Sequence, residues 1–255
     1  MIEVKNITKA FDGKTILDDV SAEFHKGKVN FIIGRSGSGK SVLTKCIVGL
    51  HEVNSGAILY DGRDFSKMNR RERIPVRREI GMLFQGSALF DSLTVEQNVI
   101  FPLTMFSVGT PAEMKERADF CLRRVQLEGT NHLYPSEISG GMQKRVGIAR
   151  AIAMNPRYLF CDEPNSGLDP QTAIVIDNLI REITIEYDIT TVVVSHDMNS
   201  VIEIGDHINF VNEGKLWWKG NRKEILNSGN AELDDFVYAS DFLKEIKENL
   251  RNSRS

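Results

Sequence analysis

Short apolar runs alternate with helical patterns along most of this chain. Val29, Phe31, Ile32 and Ile33 read as a buried strand, and Leu43, Ile47 and Leu50 follow at helical spacing. Further apolar runs at Ile80 to Phe84, Tyr158 to Cys161 and Thr190 to Val194 predict strands. An amphipathic helix from about Gln171 to Tyr187 separates the last two. Strands alternating with helices imply parallel pairing. Ile2 to Phe11 and Thr15 to Phe24 read as strands around an Asp12-Gly13 turn, a hairpin signal. Ala57 to Tyr60 before Asp61-Gly62 suggests another strand, and Ile208 to Val211 with Lys215 to Trp218 a late hairpin. Residues 66 to 78 are polar and Arg-rich, a surface helix or loop.

From about Gly86 to Pro156 the pattern turns mainly helical, with helices over Glu96 to Phe106 and Pro111 to Gln126. Pro111 is placed like a first-turn proline. A helical block inside an α/β frame reads as an inserted sub-domain. The expected division is therefore one domain over residues 1–230, with its helical sub-domain at about 86–156, and a C-terminal helical tail over 231–255.

Composition narrows the function classes. The 255 residues are 41% hydrophobic with a net charge of −3, which suits a packed core and gives no basic footprint for nucleic acid. Cys46, Cys121 and Cys161 form no C-x-x-C pair, which argues against a disulfide framework or zinc site and suits a reducing compartment. No apolar run approaches the ~18–20 residues that span a bilayer. Work at a membrane would need a spanning part from another chain.

The chemistry starts at Gly34-Arg35-Ser36-Gly37-Ser38-Gly39-Lys40-Ser41, which fits the phosphate-binding pattern G-x-x-x-x-G-K-[ST] between a strand and a helix. Its glycines let backbone N–H groups turn inward, and the helix start adds positive potential. Lys40 can reach outer phosphates and the Ser41 hydroxyl can hold Mg²⁺. The candidate nucleotide contacts are Phe11, Gly34, Ser36, Gly37, Ser38, Gly39, Lys40 and Ser41, continuing to position 42. Asp162 and Glu163 end an apolar strand, where ligands of open α/β sheets sit. Asp162 suits Mg²⁺ and Glu163 reads as the general base. Ser139-Gly140-Gly141 opens a second helix whose apolar face is Met142, Val146, Ala149, Ile152 and Ala153, with Lys144 and Arg145 pointing elsewhere. One complete phosphate site and one partial one suggest a head-to-tail dimer, each partial site closing on the partner's nucleotide.

Ile138-Ser139-Gly140-Gly141-Met142-Gln143-Lys144-Arg145 resembles the L-S-G-G-Q signature of ABC ATPases. Tyr158 to Glu163 resembles Walker B with its catalytic Glu, and Ser166-Gly167-Leu168-Asp169 the D-loop. Gln85 and His196 fall where the Q-loop Gln and switch His stand, and the resemblance covers about residues 1 to 220. Ile138 and Met142 depart from the consensus Leu and Gln. The resemblance implies a P-loop NTPase of the ABC nucleotide-binding type, with a RecA-like core, an antiparallel β sub-domain and the helical insert. It implies ATP and Mg²⁺ as cofactors, catalysis by Glu163, His196, Lys40 and Gln85, and adenine stacking on Phe11. It also implies a homodimer bound to a transmembrane permease at the cytoplasmic face of the inner membrane.

Residues 81–99, followed by Phe101-Pro102-Leu103, are similar to the corresponding stretch of Mla-type ATPases, as is the Ser-Gly-Gly-Met variant. That similarity implies phospholipid transport and maintenance of lipid asymmetry, with an MCE-domain protein and a STAS-domain regulator as partners. The alternative is the ATPase of another importer or exporter, for example for amino acids. A soluble ABC protein without a transport role is a third reading.

Overall fold

The computed structural model is described over residues 1–238. Strands β1 (Ile2–Phe11) and β2 (Lys14–Phe24) form the expected hairpin, with Phe11 opposite Lys14. With β4 (Ser55–Tyr60) and β5 (Arg63–Asp64) they build a four-stranded antiparallel sheet in the order β2-β1-β4-β5. A six-stranded sheet forms the second layer, in the order β10-β9-β3-β8-β7-β6. Its members are β3 (Val29–Ile33), β6 (Ile80–Leu83), β7 (Tyr158–Asp162), β8 (Thr190–Val194), β9 (His207–Asn212) and β10 (Lys215–Gly220). Every pairing from β9 to β6 is parallel, and β10 joins the edge antiparallel to β9, which is the late hairpin.

Both faces of the sheet's central strands are covered, so β3, β7 and β8 are buried along nearly their whole length rather than on alternate residues. Phe31, Leu159, Cys161 and Val193 face one core, while Ile32, Tyr158, Phe160, Val192 and Val194 face the other. The second core also holds Leu43, Cys46 and Ile47 of α1 (Lys40–Ile47), so Asp162, in phase with Phe160, lies on the α1 side. The thiols of Cys46, Cys121 and Cys161 are free and buried, and burial pushes that of Cys161 up to about 12.

The helical block consists of α3 (Val95–Met105), α4 (Pro111–Arg124) and α5 (Gly140–Ile152). Thr94 with Gln97, and Thr110 with Glu113, form reciprocal caps at the first two, and Pro111 takes the first-turn position. Helix α5 lies directly on β6: a Cβ at Gly81 would come within 2.2 Å of the Ala151 carbonyl oxygen. The Arg-rich stretch resolves to a single 3-10 turn, Phe65–Lys67, and helix α2 (Arg70–Arg78), which buries Arg73 and Val76 and keeps Pro75 inside it. Helices α6 (Pro170–Glu186) and α7 (Met198–Ile204) flank β8, and α8 (Ala231–Val237) packs Leu233 and Val237 on the first core. The helical tail expected over 231–255 is thus seen at its start; residues 239–255 lie outside the described part.

Candidate functional site

The phosphate-binding pattern occupies the turn from β3 to α1. Gly34 has φ +151°, and a Cβ there would meet the Val211 carbonyl oxygen at 2.1 Å, so only glycine lets the loop pass β9 this closely. Gly39 caps α1 with φ 109° and no side-chain hydrogen bond, which leaves the first N–H groups of the helix free of a side-chain cap. The Ser38 hydroxyl is buried with no hydrogen-bond partner among the described residues. An orphan hydroxyl beside uncapped N–H groups fits a phosphate. The Lys40 ammonium, 8% exposed, donates to the carbonyls of Gly34 at 2.7 Å and Arg35 at 2.9 Å. Burial lowers its pKa, and the charges of Glu163 and Asp162 oppose that shift. Ser36, Gly37 and Ser41 complete the loop, with Ser36 and Ser41 exposed. Position 42, the end of the run, is a correction: Val42 packs on the second core and has no polar group for a nucleotide.

Asp162 ends β7 with its carboxylate half-buried. Desolvation raises its pKa, Glu163 raises it further, and Lys45, Lys40 and Lys144 pull it back. Glu163 adopts a left-handed backbone, φ +48°, and its N–H donates to the Val194 carbonyl at 2.9 Å. That conformation is costly for a residue with a Cβ and marks a site where the surroundings hold the chain. Glu163 Oε1 lies 2.9 Å from His196 Nδ1. His196 follows β8, the strand beside β7, so parallel pairing delivers both side chains to the same sheet end. Among the described residues no group of three or more His, Cys, Asp or Glu could hold a metal. Ser41 and Asp162 carry oxygen donors, the ligand type that Mg²⁺ takes, with substrate phosphates supplying others.

Gln85 follows β6, whose Leu83 pairs with Cys161 of β7, so it stands at the same sheet end on an exposed turn. No hydrogen bond from its side chain joins it to the other candidates among the described residues. The next residues, Gly86, Ser87 and Ala88, all have positive φ, and Arg150 of α5 donates to the carbonyls of Ser87 and Ala88 at 2.6 and 2.7 Å. Phe11, 38% exposed at the β1–β2 turn, has Lys9 Nζ 4.6 Å from its ring centroid and His51 edge-on at 5.1 Å. Ser139 caps α5, its hydroxyl accepting from Met142 N at 3.3 Å. Gly140 and Gly141 lie against Leu168 and Thr172 rather than the phosphate loop. Asp169 caps α6 through Thr172, with Pro170 at the first helical position.

Two features escape the sequence reading. Lys144 does not point away from the packed face: it is 4% exposed, its ammonium 3.2 Å from the Glu163 carbonyl and 3.3 Å from Ser166 Oγ. Asn165 donates to buried Asp177 of α6 and to Ser200 of α7, tying the segment after Glu163 to the helix after His196. No local motif marks either, because their partners lie 12 to 35 residues away.

Residues 17–166 match the family model described as ABC transporter. The methionine import ATP-binding protein MetN of Desulfitobacterium hafniense is 37% identical over 254 residues, covering 98% of this chain and 74% of that protein. The probable ribonucleotide transport ATP-binding protein mkl of Mycobacterium leprae is 36% identical over 236 residues, covering 92% of this chain and 68% of that one. A solved dimer of the ATP-binding cassette MJ0796, in a post-hydrolysis state with ADP and Pi, superposes with a TM-score of 0.79 at 33% identity, covering 87% of this chain and 99% of that one.

Proposed function

The chain belongs to the ABC transporter family and is an ATP-hydrolysing subunit of that kind, and from that premise we propose that it powers import of a small solute of the methionine type. The observation that carries the importer reading is similarity to a methionine import ATPase across 98% of the chain. These relatives, a methionine import and a probable ribonucleotide transport ATP-binding protein, give no support to the Mla-type assignment. Phospholipid transport, with its MCE and STAS partners, rests on residues 81–103 and the Ser139-Gly140-Gly141-Met142 variant and stands as the second reading.

The proposed chemistry is electrostatic positioning around the transferred phosphoryl group. ATP lies along Gly34 to Ser41, with Lys40 and the Ser38 hydroxyl on its phosphates and its adenine against Phe11. Mg²⁺, the usual ion of this family, would be held by Ser41 and Asp162 and would neutralise charge on the phosphate oxygens. Glu163 accepts the proton of the attacking water, and His196 holds the Glu163 carboxylate in place. Ser139 caps its own helix and Gly141 lies against Thr172, which leaves them for a site completed by a second copy; a similar cassette is solved as a dimer bound to ADP and Pi.

No helix among the described residues is long and apolar enough to cross a membrane. A cleft of about 390 Å³, lined by Phe84, Phe90, Phe101, Met105 and Met154, lies beside Gln85 between the sheet and the helical block. Phe84, Phe90 and Met105 are exposed there. That apolar cleft suits a cytoplasmic helix of a permease, and its position would let docking reach Gln85. The test is to recover tagged Glu163→Gln chain from native membranes with ATP and to identify its partners and bound ligand by mass spectrometry. A permease that binds methionine supports the proposal. A permease with an MCE-domain protein and phospholipid replaces it by the second reading, and soluble partners alone contradict both.

A further inference from the structure

Lys144 has no part in the scheme above, yet it is less exposed, at 4%, than Lys40, Arg73 or Arg150, at 8%, 7% and 9%. A buried ammonium persists only where its surroundings repay the lost water. Its described acceptors are the Glu163 carbonyl and Ser166 Oγ, both just beyond the end of β7. The charges of Glu163 and Asp162 favour its protonated form, against desolvation that lowers its pKa. The Glu163 backbone is thus held from both sides, its N–H donating to the Val194 carbonyl of β8 and its carbonyl accepting from the Lys144 ammonium of α5 and from the Ser166 N–H, each at 3.2 Å.

We propose that Lys144 is a positioning residue for ATP hydrolysis, holding the left-handed backbone of Glu163 and tying it to the helix that begins at Ser139-Gly140-Gly141. Any shift of α5 against the sheet then moves the Glu163 carboxylate. Engagement of Ser139 and Gly141 by a partner's nucleotide would set the geometry of the base in the same chain. This inference rests on the assignment of Glu163 as the base, and the test separates the two.

Lys144→Met and Lys144→Gln are made in the full chain, with melting temperature as the folding control. Misplacing a reacting group by about 1 Å can cost on the order of 100-fold, so Lys144→Met is expected to lower kcat by about 10- to 100-fold. KM for ATP should change by less than about threefold, because the phosphate loop is untouched. Lys144→Gln keeps a donor and should recover at least about half of that loss on a logarithmic scale. In single-turnover assays on a Glu163→Gln background, Lys144→Met should add no further loss, since it acts through Glu163. A kcat for Lys144→Met within twofold of the unmodified chain, no recovery by Gln, or a full multiplicative loss on the Glu163→Gln background would each overturn the inference. Wild-type turnover by Glu163→Gln alone would instead overturn the base assignment.

Discussion

Ser38→Ala should separate the stability of this protein from its affinity for nucleotide, in opposite directions. The Ser38 hydroxyl is buried, the residue 6% exposed, with no hydrogen-bond partner among the described residues. Mutational data put the cost of such an unpaired group at about 1–3 kcal/mol. Alanine removes that cost while losing the packing of one oxygen atom, a net gain of about 1 kcal/mol. In a chain of this size that raises the melting temperature without nucleotide by about 2–4 °C. The same hydroxyl faces the proposed phosphate position, where a hydrogen bond to a charged group contributes about 1.5–3 kcal/mol. Its loss should weaken ATP binding by roughly 10- to 100-fold. Thermal melts without nucleotide and titration with MgATP read the two effects separately. A lower melting temperature together with unchanged ATP affinity would refute the reasoning, because the hydroxyl would then be paired within the protein and turned away from phosphate.

Asp177 is 5% exposed and accepts from Asn165 Nδ2 at 2.8 Å, and burial pushes its pKa up from 3.8 to about 6. Because the folded value is the higher one, ionisation penalises the native state increasingly as pH rises from about 4 to about 6. Asp177→Asn should therefore stabilise the protein by about 1–3 kcal/mol at pH 7.5 and by much less at pH 4.5; denaturation giving the same difference at both pH values would contradict this. Arg150→Met leaves the carbonyls of Ser87 and Ala88 without their described donor and should cost about 2–4 kcal/mol, with faster proteolysis around residues 86–88. A change below about 0.5 kcal/mol would show that the turn after Gln85 holds its positive-φ backbone without Arg150.

The layers of the fold were legible in the sequence wherever burial was two-sided. Tyr158 to Cys161 and Thr190 to Val194 carry no charged residue because both faces of their sheet are buried, and Pro111 and Asp169-Pro170 mark helix starts through local chemistry. Residues 66 to 78 stayed undecided because a helix that buries only Arg73 and Val76 leaves almost no periodic signal. The phosphate loop and the Asp162-Glu163 pair were readable because their function depends on contiguous residues. Lys144 was misread for the opposite reason. The helix positions one turn before it are Gly140 and Gly141, and its acceptor is a backbone carbonyl 19 residues away, so little local distinguishes it from a solvated lysine. The left-handed turn under Arg150 was hidden likewise, since Ser87 and Ala88 are ordinary residues held there by a side chain more than 60 positions on.

In the proposed reaction two copies of this chain close around ATP, each lending Ser139 and Gly141 to the phosphate loop of the other. Light scattering on the Glu163→Gln chain, with and without ATP, reads this closure. The mass should be near 28.7 kDa without nucleotide and twice that with ATP, with no doubling once Ser139→Arg is added while the melting temperature without nucleotide stays unchanged. A Glu163→Gln, Ser139→Arg chain that still doubles its mass with ATP would contradict the shared site.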